Sequence, residues 1–549
     1  MLPWGAARVS PVSLVGMKRP LIILMAAAVP VAAALVPMAA NAAFRDGKPV
    51  AATSCAAVAV SAPAGTAVEA VTAVAHAGGT VTFPAAPPLH PQEETLTDVP
   101  AWCDVTVTVT HSGANDHVTI KVALPQDRKN WTGRFQATGG SAYLAGDFGS
   151  PLVAAMKAGY VAAATDAGVG ANPLDVSGWA LTSAGTINTP LLQDFASRSL
   201  HDMAVVGKDV ARRYYGNPVT YSYWNGCSTG GRQGYEEAQD YPTDFDGILA
   251  KAPAINWDRF AVATLWSQAV FNEEQVAPTQ CELQAFTTAA VQACDTLDGV
   301  KDGIIDNPQD CHWDARRLVG TKVVCEGKEI AISQATADAV NKVWAGPVSP
   351  DGKQLWYGPN KGASLAALAT PGAPFFVADS WVKYFVTQDP SFDTTKLTYR
   401  SFDQLFRASQ REFNGIIGTD DPNLSAFAKA GGKLLSWHGQ TDELVPTQGT
   451  VDYRERVART LGGDKKVDDF YRLFLLPGVN HCGGGTGPQP TDDLGALVNW
   501  VEKGKAPATL AAATADGSVT RDICRYPMVA RYTGHGDPAS AANYHCVNA

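Results

Sequence analysis

Two cysteines flank the pair of residues best suited to chemistry in this chain, since Cys227 directly precedes Ser228 and Cys482 directly follows His481. Gly226-Cys227-Ser228-Thr229-Gly230 fits the G-x-S-x-G nucleophile elbow, a sharp strand-to-helix turn whose glycines let the serine hydroxyl stand clear of the backbone. A disulfide between Cys227 and Cys482 would require Cα atoms about 4.4–6.8 Å apart. It would therefore carry Ser228 and His481 into one small volume. A pentapeptide of this kind recurs by chance, and a His-Cys pair more often still. A fold that must join both is far more restricted.

The chain has 549 residues, enough for several domains or for one large α/β domain with an insertion, and its 46% hydrophobic content supplies an ample core. Its 43 basic and 53 acidic residues leave a formal charge of -10, dispersed along the chain. That balance provides no basic patch for nucleic acid and no polybasic membrane anchor, so a small substrate of little or no charge is expected. Met17-Lys18-Arg19, an apolar run over 21–36 and Ala40-Asn41-Ala42 read as a signal peptide cleaved near Ala42 or Ala43, with a membrane anchor as the rival reading. No second stretch is long and apolar enough to span a bilayer. A secreted or periplasmic protein that leaves the membrane on cleavage follows.

Export makes disulfides chemically reasonable, and all ten cysteines lie beyond the leader. Counting does not determine connectivity. The nested scheme with the fewest crossings pairs Cys55 with Cys103, Cys227 with Cys482, Cys281 with Cys325, Cys294 with Cys311, and Cys524 with Cys546.

After an Ala- and Pro-rich lead, alternation over 105–110 and 118–124 predicts paired strands around a turn at 111–116. Further strands are predicted over 134–138 and 160–165, and a helix over 199–215. A strand over 219–225 feeds the elbow and a helix over 231–239 leaves it, the context that the motif requires. From about Pro253 the pattern changes to aromatic-rich helices with four cysteines and Asp-Gly turns, and regular strands return only at 433–437 and 471–476. The expected class is α/β. Residues 1–43 form the leader, 44–252 the first part of the core, 253–424 an inserted lid and 425–549 the second part of the core. The last helix is expected over 492–503, with Thr491 as its cap.

Serine is a weak nucleophile at neutral pH and needs a base within hydrogen-bond reach, oriented by a carboxylate. His481 sits in a loop directly after the strand 471–476, and Asp442 directly after the strand 433–437, in the order Ser, Asp, His. Glu443 competes for the role of Asp442, and His438 could orient that carboxylate or line the pocket. Ester hydrolysis passes through an oxyanion that needs two preorganised N–H donors. Thr229 is one candidate. Thr138-Gly139-Gly140-Ser141 offers the other, with Gly140 as the expected donor. A second constellation runs from Cys294 to Asp306 and is closed by Cys311. Its clustered aspartates and glycines suit a hard cation such as Ca²⁺ or form a solvated Asp-Gly turn, and the EF-hand spacing is absent.

The Gly-Cys-Ser-Thr-Gly-Gly elbow, the His481-Cys482 pair and the Asp-rich loop resemble the tannase and feruloyl esterase family, which includes mono-hydroxyethyl terephthalate hydrolases. The resemblance implies an α/β-hydrolase core and lid, with catalytic Ser228, Asp442 and His481. It also implies a structural Ca²⁺ in the lid, held by the side chains of Asp295, Asp298 and Asp302 and the carbonyls of Val300 and Ile304. Family members commonly carry a longer glycine run in the oxyanion loop than Ala137-Thr138-Gly139-Gly140-Ser141. The implied activity is hydrolysis of small aromatic carboxylic esters, feruloyl, galloyl or terephthalate monoester, with no nucleic-acid partner. Trp381, Tyr384, Phe385, Arg400, Phe402 and Arg407 are candidates for aromatic pocket walls and a carboxylate clamp, or else lid core or surface. The rival readings are an exported peptidase of the same fold and a calcium-dependent binding protein without catalysis.

Overall fold

The computed structural model describes residues 54–87 and 90–548, so the leader and its cleavage region lie outside the described residues. Alternating burial builds the first strands and uninterrupted apolar runs build the central ones, as expected for a sheet that is antiparallel at one side and parallel and doubly covered elsewhere. In chain order the strands are β1 (Thr66–His76), β2 (Trp102–His111), β3 (Val118–Pro125), β4 (Arg134–Thr138), β5 (Tyr160–Thr165), β6 (Tyr221–Cys227), β7 (Gly247–Lys251), β8 (Lys433–Gly439) and β9 (Tyr471–Leu476). They form one nine-stranded sheet in the order β1-β2-β3-β5-β4-β6-β7-β8-β9. Pairing is antiparallel from β1 through β5 and parallel from β5 to β9.

Helices cover both faces. α1 (Ser150–Lys157) packs Leu152 and Met156 on one face, α2 (Ser199–Tyr215) and α3 (Thr229–Asp240) pack Leu200, Met203 and Tyr235 on the other. The inserted segment contributes α4 (Gln280–Cys294), opened by a Thr279/Glu282 capping box, and α5 (Tyr399–Ile417), capped by Thr398. α6 (Gln448–Leu461) and α7 (Asp493–Lys503) complete the layers, α7 on the face of α1. The cap of α7 is Asp492, which accepts from Gly495 N at 2.9 Å, and not Thr491, whose hydroxyl turns away to donate to Ala511 O at 3.2 Å.

The inserted segment 253–424 does not stand apart from the core. Trp257, Trp381 and Phe385 share one apolar cluster with Tyr143, Trp179 and Phe195 of the core loops, and the Tyr143 hydroxyl donates to Val377 O at 2.7 Å. The C-terminal part differs from the expected continuation of the core. Thr509–Ala513 and Thr520–Cys524 pair with Gln489–Pro490 in a small antiparallel sheet, and Met528–Tyr532 pairs with Tyr544–Asn548. β1 and a hairpin of Gly79–Phe83 with Glu94–Val99 lie within the lead where no strand was expected, because valine there recurs without strict alternation. All ten cysteines are paired, in the nested scheme.

Arg232 of α3 joins core to lid. Fully buried, it donates to Ala196 O at 2.8 Å, Phe195 O at 3.1 Å and Thr419 Oγ1 at 3.1 Å, and it lies 3.7 Å from buried Glu236. Burial lowers its pKa to about 10 and raises that of Glu236 to about 7. Arg232→Met should cost about 3–5 kcal/mol in urea unfolding, because it strands a buried carboxyl, and adding Glu236→Leu should recover most of the loss. Equal stability of the parent and the single variant would contradict this account.

Candidate active site

β6 delivers Ser228 to the top of the sheet in a conformation that side chains rarely adopt, with φ 61° and ψ -121°. Such strain persists only where the surroundings over-determine it. Here Ser228 N donates to Lys251 O at 3.0 Å, and Ser228 O accepts from Arg232 N at 2.9 Å and Ala254 N at 3.1 Å. The glycines are required by contact. A Cβ on Gly226 would stand 2.4 Å from Gly230 O, and one on Gly139 would stand 2.5 Å from Gly230 Cα.

The Cys227–Cys482 disulfide spans 255 residues with its Cα atoms 5.8 Å apart. It ties the elbow to the loop after β9, where His481 Nδ1 lies 2.7 Å from Asp442 Oδ2. Asp442 follows β8 and is fully enclosed. Its Oδ1 accepts from Leu444 N at 2.9 Å and Val445 N at 2.8 Å, while Oδ2 also meets His438 Nε2 at 2.9 Å. Burial pushes this carboxyl up, but the charges and hydrogen bonds of His481 and His438 outweigh it and hold Asp442 below the ordinary carboxylate range. Burial likewise opposes protonation of His481, and the charge of Asp442, its hydrogen bond and then Glu443 raise the imidazole above its ordinary value. Glu443 is not the carboxylate on the imidazole. Its Oε2 instead accepts the backbone N–H of His481 at 3.1 Å. Among the described residues Ser228 makes no hydrogen bond to His481, an opening common before substrate binds. The arrangement puts a half-buried serine at the elbow, stapled to the loop of an imidazole that has a buried carboxylate behind it.

Thr229, first residue of α3, has a backbone N–H with no acceptor among the described residues, and its hydroxyl donates to Ala142 O at 2.6 Å. Gly140 does not offer the second donor. Its N–H is committed to Gln233 Oε1 at 3.0 Å, and its carbonyl accepts from Gly230 N at 3.0 Å. Gly139 N and Ser141 N are also spent, on Asn225 O and Leu144 O. Within 139–142 the amide left without an acceptor among the described residues is that of Ala142, held at φ 49°, and its carbonyl accepts from the Thr229 hydroxyl. Nothing in an alanine's chemistry marks it for this position, which is a property of the backbone.

The lid candidates divide. Trp381, Phe385 and Phe402 are fully buried lid core, Tyr384 packs against it, and Arg400 and Arg407 are exposed, Arg407 paired with Asp403 at 2.9 Å. In the Asp-rich loop, Asp295 Oδ1 accepts from Asp302 N at 3.0 Å and Gly303 N at 2.8 Å, Asp298 Oδ1 from Val300 N at 2.9 Å, and Asp302 Oδ1 from Ile304 N at 3.1 Å. Asp302 Oδ2 meets Arg521 at 3.2 Å, and buried Asp298 Oδ2 has no partner. Burial, then the neighbouring charges of Asp298 and Asp302, raises Asp306, the last residue of the constellation and one outside the implied ligand set, to about 8.

The sequence matches the family described as Tannase and feruloyl esterase over residues 103–547. The chain belongs to this family. It is 47% identical over 476 residues to the "Probable feruloyl esterase" of Arthroderma benhamiae, covering 84% of this chain and 88% of that protein. To feruloyl esterase B of Aspergillus niger it is 32% identical over 472 residues, 81% and 86% of the two chains. Among solved structures, feruloyl esterase B from Aspergillus oryzae superposes with a TM-score of 0.75 at 29% identity, over 88% of this chain and 97% of that one. The tannin acyl hydrolase of Aspergillus niger, at 23% identity, shares the fold with a TM-score of 0.79 over 88% and 92%. This family member is accordingly a carboxylic ester hydrolase on an α/β-hydrolase fold.

The staple at the elbow has a measurable local role, because misplacing reacting groups by about 1 Å can cost about a hundredfold in rate. Cys227→Ala with Cys482→Ala should lower kcat on an aryl ester by about that factor and stability by up to about 4–5 kcal/mol, the chain-entropy value for so long a loop. Alkylation of Cys227 in the native, unreduced protein would refute the pairing.

Proposed function

We propose that Ser228, His481 and Asp442 hydrolyse esters of hydroxylated aromatic acids through an acyl-enzyme. The observation that carries the reading is the strained serine stapled beside a histidine whose Nδ1 is held by a buried carboxylate. His481 Nε2 takes the proton of Ser228 as Oγ attacks the ester carbon. The amides of Thr229 and Ala142 receive the oxyanion, and the imidazolium returns its proton to the leaving alcohol. Water, activated by the same imidazole, then releases the acid. The names of the relatives point to feruloyl and galloyl esters, and methyl ferulate, methyl gallate, chlorogenate and mono-hydroxyethyl terephthalate form the panel that separates them. Export fits the five disulfides and the leader, and among the described residues no helix is long and apolar enough to cross a membrane.

Ser228→Ala should abolish turnover of the responsive ester while leaving the melting temperature within about a degree, since the half-buried hydroxyl makes no hydrogen bond among the described residues. Activity within about tenfold of the parent would sink the assignment. Asp442→Asn should cost about 10³–10⁴ in kcat and Glu443→Gln far less. Because Asp442 raises His481, and the base must be neutral, kcat/KM should climb with pH through a value above 6.5 and the climb should move to lower pH in Asp442→Asn. A rising limb that stays in place would detach the carboxylate from the imidazole.

The acidic loop suits a structural Ca²⁺. Its donors are hard oxygens, and one buried carboxylate oxygen lacks any partner. Asp295, Asp298, Asp302 and the carbonyls of Val300 and Ile304 would hold the ion, which would neutralise the repelling carboxylates. Chelation should then lower the melting temperature, since an ion bound only by the folded state stabilises by mass action. A melting curve unmoved by chelator, with no calcium in purified protein, would leave an acidic turn.

A further inference from the structure

On the sheet face covered by α1 and α7, the two helices part over a solvent-open cavity of about 470 Å³, within the range of about 300–1,000 Å³ usual for ligand sites. It lies behind the elbow, lined by Gly140 and Cys227, and neither Ser228 nor His481 reaches it. Gln136 of β4 and Asn225 of β6 lie on adjacent strands and line its inner side. Gln136 is only 4% exposed, and the side-chain carbonyl oxygens of both amides are buried without a hydrogen-bond donor. Lys251 at the end of β7 also lines the cavity, with no ion pair among the described residues. At the rim His90 Nε2 meets Asp147 Oδ2 at 2.6 Å. Ala154, Ala155 and Leu494 make the remaining walls apolar.

We propose that this cavity binds a saccharide, recognised as a neutral ring bearing several hydroxyls. Buried amide carbonyls call for O–H or N–H donors, and an unpaired ammonium calls for an acceptor. Adjacent ring hydroxyls supply both, and the C–H face of the ring covers the alanines. A carboxylate or phosphate would answer Lys251 alone and would face Asp147 and the amide carbonyls, while no Phe, Tyr or Trp lines the cavity to stack a flat acid and the His90 ring at the rim is held edge-on by Asp147 and Glu94 through its two nitrogens. The site also touches the catalytic machinery from behind, because Lys251 O accepts the N–H of Ser228 and Cys227 and Cys482 both line the cavity. A bound ring would brace the elbow.

The test is a titration of the full chain with methyl β-D-xylopyranoside, followed by saturation-transfer difference NMR, with sodium acetate and inorganic phosphate as competitors. Saturable binding is expected in the parent and equally in Ser228→Ala, which separates a free sugar in this cavity from a sugar held by an ester in the catalytic cleft. Gln136→Leu should weaken it by about tenfold, the scale of one lost hydrogen bond. Ala154→Trp, at an exposed position of α1, should weaken it at least as much by filling the cavity. Melting curves of both variants should match the parent, Gln136→Leu because it removes a buried amide whose oxygen is unpartnered. Absence of saturable binding, full retention in both variants, or displacement by acetate or phosphate would overturn the proposal.

Discussion

The active site depends on one close crossing of backbone, where the loop after β4 passes the elbow between β6 and α3. Gly139, Gly226 and Gly230 approach so nearly that a methyl group on either of the first two would collide with Gly230. That crossing keeps Ser228 in its strained turn and sets the loop after β4 against the start of α3. The Cys227–Cys482 disulfide adds the third segment, the loop after β9. Packing alone would not hold that loop closely, because its residues around Cys482 are small and largely exposed.

Around this crossing the polar groups are distributed with unequal duties. Asp442 is engaged by two imidazoles and two backbone amides, so its charge is stabilised while it remains buried. Glu443, its neighbour, steadies the backbone of the same histidine and stays off the ring. Lid and core are joined through buried polar contacts as well as apolar ones. Arg232 reaches carbonyls of the segment before α2 and a hydroxyl after α5, and Tyr143 ties the oxyanion loop to the lid. Motion of the lid would therefore be felt in the loop after β4 and along α3.

The Asp-rich loop shows the opposite economy, a set of carboxylates packed without enough cations among the side chains. Arg521 from the small C-terminal sheet contacts Asp302, and disulfides Cys294–Cys311 and Cys524–Cys546 staple the two segments on either side. Burial, and then the negative charge of Asp298 and Asp302, pushes Asp306 up to about 8, and Asp298 Oδ2 is left without a donor, the condition that a hard cation relieves.

Much of this was legible in the residues. The elbow pattern and the order Ser228, Asp442, His481 are local facts that sterics and chain order carry into the structure, and the nested scheme with the fewest crossings gave the cysteine pairs that the fold then brought together. The central strands were legible too, because continuous burial demands continuous apolar sequence. Other features belong to the tertiary structure alone. Which amide of 139–142 stays free was decided by where Gln233 and Leu144 fall in space, so the N–H left without an acceptor among the described residues is that of Ala142 and not that of Gly140. The choice of Asp442 over Glu443, the burial of Trp381 and Phe385 in the lid core, and the cavity behind the elbow were decided in the same way. Each depends on which surfaces meet across hundreds of residues, and a side chain's identity states what it can bond to but not what will be standing there.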